Sequence, residues 1–66
     1  MTIGKKIKEL REARGWSKKE LADKLTTNYN NVRYWEVGRN YPSIFFCIML
    51  ADVFDVTLDE LCGRGD

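Results

Sequence analysis

The 66-residue chain is predicted to be all-α, a compact bundle of five short helices, on three observations. Apolar residues recur at three- and four-residue spacing and are punctuated by Gly15, Gly38 and Gly63. Two Ser/Thr-x-x-Glu signatures, Ser17 to Glu20 and Thr57 to Glu60, mark helix starts. Five short helices joined by short connections leave no stretch for a strand.

The first helix is read from Ile3, Ile7, Leu10 and Ala13, an inner stripe with Lys5, Lys6, Lys8, Glu9, Arg11 and Glu12 between, stopped by Gly15. The second opens at Ser17, whose hydroxyl caps a free backbone amide while Glu20 reaches back, and Leu21, Ala22 and Leu25 form its inner face. After the short turn Thr26-Thr27, Asn28 caps a third helix that runs to Gly38. At 100° per residue Val32, Trp35 and Glu36 share one side of it, whereas Asn30, Arg33, Tyr34 and Val37 point the other way and Tyr29 leads. Glu36 faces inward, where an unpaired charge is costly, so it needs backbone amides or a cation. Pro42-Ser43 opens a fourth helix through Phe54, with Ile44, Cys47, Ile48, Ala51 and Phe54 as its core stripe. The fifth starts at Thr57 and ends before Gly63.

Composition narrows the function. A chain of this length is expected to be a single domain over 1–66, near the lower limit for folding without disulfides or metal. Its longest apolar run, Ile44 to Ala51, falls far short of a membrane span, and no signal-peptide core is visible, so a cytoplasmic protein is expected. With Cys47 and Cys62 as the two cysteines and no His, zinc spacing cannot be met, and neither metal nor cofactor is expected. Without His, a metal cluster, a glycine-rich phosphate loop or a serine beside a base, no catalytic set is present. The net charge of +1 hides an asymmetry: residues 1–40 carry +5 and residues 41–66 carry −4. The first part suits phosphates.

Ser17 to Arg33, two short helices about a tight turn with a polar outer face on the second, have the layout of a helix-turn-helix. Ala22 is the small residue where the helices cross, Val32 and Trp35 anchor the second, and Asn30, Arg33 and Tyr34 lie outward. Together with Ile3-Gly-Lys-Lys-Ile-Lys-Glu-Leu-Arg-Glu-Ala-Arg-Gly15, Ser17-x-x-Glu-Leu-Ala22, Trp35-Glu-x-Gly38, Tyr41-Pro-Ser43, Leu50-Ala-Asp-Val-Phe54 and Thr57-Leu-Asp-Glu-Leu61, this resembles the Cro and lambda-repressor (xenobiotic-response-element) family over nearly the full length.

The resemblance implies a lambda-repressor-like fold and a regulator that binds double-stranded DNA, with the helix from Asn28 to Glu36 in the major groove. Base contacts are then expected from Tyr29, Asn30, Arg33 and Tyr34. Chemistry agrees for several: Asn pairs with adenine, Arg with guanine, and a tyrosine ring meets a thymine methyl. Lys18, Lys19, Asn31 and Arg39 are assigned to phosphates. Three residues depart from the family pattern. Lys18 stands where Gln is usual, leaving a backbone contact only. Thr26 stands where Gly is usual, and a positive φ there costs a β-branched residue ~1 to 2 kcal/mol. Phe45, Phe46 and Met49 replace commonly polar residues, and with Val53 they are expected to form an outward apolar patch and a homodimer interface. A dimer would meet a palindromic operator with half-sites about 10 base pairs apart. The alternative is a protein-interaction module, antirepressor or antitoxin-like, in which DNA binding has weakened. No small-molecule ligand is evident. For Lys5, Lys6 and Lys8 a solvated face is sufficient, and Trp16 and Trp35 are read as core.

Overall fold

A computed structural model describes residues 3–63. The expected domain ends, residues 1–2 and 64–66 with Arg64, lie outside the described residues. Within them run α1 (Ile3–Ala13), α2 (Lys18–Lys24), α3 (Tyr29–Glu36), α4 (Ile44–Phe54) and α5 (Leu58–Cys62), with no strand.

Side chains start the helices. The Ser17 hydroxyl accepts from the Glu20 amide at 3.0 Å while Glu20 Oε1 accepts from the Ser17 amide at 2.9 Å. Thr57 and Glu60 repeat the exchange at 3.1 and 3.2 Å. Asn28 caps α3 through the Asn31 amide at 3.0 Å, and Ser43 caps α4 through the Phe46 amide at 3.3 Å. Each such cap contributes about 1 kcal/mol.

The helix ends are equally uniform. After α1, α2, α3 and α4 the chain turns through a left-handed residue, Gly15, Thr26, Gly38 and Asp55 respectively, and the last carbonyls accept the next two amides. In the α2–α3 turn the Thr26 amide donates to Asp23 at 3.2 Å and the Thr27 amide to Ala22 at 2.9 Å. This arrangement satisfies carbonyls that a bare helix end would leave open. Thr26 sits at φ 55°, so the helix-turn-helix is closed by a β-branched residue in a conformation that suits glycine.

Ile7, Leu21, Leu25, Val32, Leu50, Phe54 and Leu61 fill the centre with essentially no exposure, so all five helices contribute to one core. α1 and α3 approach unusually closely at Gly4, where an added Cβ would lie 1.9 Å from the Trp35 carbonyl oxygen.

The structure corrects the expected faces of two helices. On α1 the buried stripe is Gly4, Ile7 and Arg11, with Ile3 and Leu10 half-buried and Ala13 exposed. Arg11, expected on the outer face, is inside because its charge has a partner there. On α4 the buried set is Cys47, Leu50, Ala51 and Phe54, while Ile44 and Ile48, expected in the core, are 61% and 45% exposed. The expected outward patch is correspondingly broken up. Phe45 is 76% exposed, but Phe46, Met49 and Val53 are half-buried against the core, and the Phe46 ring lies 5.1 Å from that of Trp35. Apart from Asp52 every α4 residue is apolar, so its pattern specifies no phase and the neighbouring helices choose it.

Candidate nucleic-acid interface

Two locks hold α3 in place before any ligand is considered. The first is ionic: Arg11 Nε donates to Glu36 Oε2 at 2.7 Å and Nη2 to Oε1 at 3.0 Å. The third guanidinium nitrogen, Nη1, donates to the Trp16 carbonyl at 2.7 Å. The two side chains are only 9% and 2% exposed, and the carboxylate's hydrogen bond holds Arg11 above its ordinary pKa. A planar fork against a carboxylate fixes direction as well as distance, so the pair sets the angle of α3 against α1. Of the two partners expected for the inward Glu36, backbone amides or a cation, the structure supplies the cation, Arg11, whose spacing from Gly4 and Ile7 puts it on the same buried stripe.

The second lock is the turn. Asn31 donates its side-chain amide to Thr27 Oγ1 at 2.7 Å and its backbone amide to Asn28. Expected at a phosphate, Asn31 is half-buried and braces the turn that launches α3. It also lines an open cleft of about 390 Å³ with Trp35, Asn40, Tyr41, Ser43 and Phe46.

With Val32 and Trp35 buried, the opposite side of α3 faces solvent, as its periodicity requires. Tyr29 is 47% exposed, and Asn30 and Arg33 are exposed. Tyr34 is half-buried, and the guanidiniums of Arg33 and Arg39 each lie 4.9 Å from its ring centroid. At the head of α2, Lys18 is half-buried, while Lys19 is exposed with its ammonium 3.3 Å from Asp23 Oδ2. That pair is solvated on both sides and holds Lys19 only weakly. The structure therefore gathers Arg33, Tyr34 and Arg39 into one group and leaves Tyr29 and Asn30 free at the leading end of α3.

Trp16 and Trp35, read as core, serve as such. Trp35 is 4% exposed, and Trp16 stacks on Phe54 at 5.8 Å, with Arg14 donating to the Phe54 carbonyl and Lys24 4.6 Å from the indole. Among the described residues no cluster of three His, Cys, Asp or Glu could hold a metal, and no helix is long and apolar enough to cross a membrane.

A helix-turn-helix family model matches residues 7–61. The HTH-type transcriptional regulator ImmR of Bacillus subtilis is 32% identical over 66 residues, covering all of this chain and 52% of ImmR. AnsR of the same bacterium is 41% identical over 59 residues, 89% of this chain and 51% of its own. The chain thus spans about half the length of these curated relatives. A crystal structure of SinR, a master regulator of biofilm formation, in complex with DNA superposes with a TM-score of 0.84 at 33% identity, over 91% of this chain and 97% of that one. The ionic lock, the Thr26 turn and the outward face of α3 are thus features of a member of the helix-turn-helix family, of the Cro and lambda-repressor type.

Proposed function

We propose that this chain is the DNA-binding part of a non-enzymatic transcriptional regulator, acting in the cytoplasm and reading double-stranded DNA through α3. The observation that carries the reading is the face of α3: Tyr29, Asn30 and Arg33 stand out from a helix whose other side is locked into the core. Asn and Arg there carry the donor and acceptor pattern that distinguishes adenine and guanine edges in the major groove. Lys18, Lys19 and Arg39 flank the face as phosphate contacts, and the +5 charge of residues 1–40 supplies the field. The names of ImmR and AnsR, and the DNA held by SinR, support the same reading.

A palindromic operator requires two copies. The homodimer is proposed to form on α4, through Phe45 with Ile44 and Ile48, the residues that stand wet there. Selection of bound duplexes from a random pool tests the whole reading: enrichment of an inverted repeat is expected, and failure to enrich any sequence would refute it. The same exposed α4 residues favour the second reading, a protein-interaction module; it gains if the chain is not retained on heparin at low salt.

A further inference from the structure

We propose that Tyr34 is a positioning residue, whose ring holds Arg33 and Arg39 as one unit against DNA, and that it makes no base contact of its own. The proposal rests on the reading of α3 as a DNA-binding helix.

Two sets of contacts converge on Tyr34. Its ring lies 4.9 Å from the guanidinium of Arg33 and 4.9 Å from that of Arg39. Its carbonyl accepts from the Arg39 amide at 2.9 Å and from the Asn40 amide at 3.5 Å. These main-chain bonds close the end of α3 through left-handed Gly38, and Arg39 follows with its guanidinium over the ring. The ring then gathers a cation from within the helix and another from beyond its end. Two guanidiniums at one ring repel each other, and among the described residues neither meets a carboxylate within ion-pair distance. The ring quadrupole favours each cation, and an anion brought to both would remove their repulsion. A DNA phosphate supplies that anion, at the flank of the base edges that Arg33 addresses. Tyr34 itself is half-buried, unlike Asn30 and Arg33, and two guanidiniums lie over its ring.

The energetic consequence is coupling. An arginine already held over a ring loses less side-chain freedom when it binds, so the arginines and the ring should act non-additively. Fluorescence anisotropy with a short random-sequence duplex at several salt concentrations measures this for the wild type, Tyr34→Phe, Tyr34→Leu, Arg39→Ala and the Tyr34→Leu/Arg39→Ala pair. Tyr34→Phe keeps the ring and is expected to bind within about twofold of wild type, whereas Tyr34→Leu should lose roughly two- to fivefold for each arginine released. Tyr34→Leu and Arg39→Ala should each flatten the log–log salt dependence, Arg39→Ala by about 0.9. The double variant should be little worse than the poorer single one. In the free protein, ring-current shifts of the Arg33 and Arg39 side-chain N–H resonances should be present in wild type and in Tyr34→Phe.

Additive losses, or a Tyr34→Phe as weak as Tyr34→Leu, would overturn the positioning role while leaving DNA binding intact. Absence of the ring-current shifts in wild type would do the same without any variant needing to fold. Failure of the wild type to bind at low salt would overturn both this proposal and the function on which it rests.

Discussion

The segment α1–α3 and helix α4 solve the same packing problem in opposite ways. α1–α3 carry polar residues between apolar ones, and even their interior is polar in part, with Arg11 and Glu36 buried as a forked pair. α4 has a single polar residue, Asp52, and packs on the core through apolar side chains, with no buried ion pair of its own among the described residues. The polar interior is directional: a fork accepts one geometry, so α3 and its outward face are held at one angle. The apolar helix is adaptable, because hydrophobic burial depends on area and not on direction. It lends itself to carrying an interface, whereas α1–α3 lend themselves to presenting side chains at fixed positions.

The largest effects should come from breaking each region at its centre. Phe54→Ala empties a fully buried site that Trp16 stacks upon and is expected to cost about 3–5 kcal/mol in urea unfolding. Arg11→Met should cost a similar 3–5 kcal/mol, because it strands the Glu36 carboxylate at 2% exposure. The two regions separate in the rescue. Arg11→Met with Glu36→Leu should recover most of the loss, since both charges leave together; no recovery would show that the pair contributes more than its own desolvation. Next, Gly4→Ala should cost about 1–3 kcal/mol, because its Cβ would overlap the Trp35 carbonyl and force α1 off α3. An unchanged melting temperature there would mean that the α1–α3 crossing is looser than its ionic lock implies.

Thr26→Gly works in the other direction. Relief of the positive φ should recover about 1 kcal/mol and raise the melting temperature by ~4 to 8 °C. Asp55→Gly, at φ 56°, should gain less because aspartate tolerates that region better. A lower melting temperature for Thr26→Gly would point to a contribution from the threonine itself.

The smallest effect concerns α4 and pH. Burial pushes the Cys47 thiol above its ordinary value, so as pH rises the unfolded chain ionises first. The stability linked to that proton is complete below about 8.5 and is lost as pH rises through the raised folded value. Wild type should therefore lose stability over that alkaline window relative to Cys47→Val, and parallel pH profiles would refute the linkage. Exposed Cys62 should be alkylated first.

By itself the sequence determined whatever is encoded locally. The helix starts follow from Ser17, Asn28, Ser43 and Thr57, whose hydrogen bonds reach three residues and no further. Three-residue reach also explains why the outward side of α3 was readable, since polar and apolar residues alternate there at the helical period. The strained Thr26 was legible only through the family resemblance, which implies a glycine with positive φ at that place. Tertiary structure alone decided two things. It chose which side of α4 is buried, where a single polar residue, Asp52, is too little to mark the phase. It took Arg11 into the interior across a separation of 25 residues from Glu36. Each of these depends on what a side chain meets from another segment, and periodicity within one helix carries no information about that encounter.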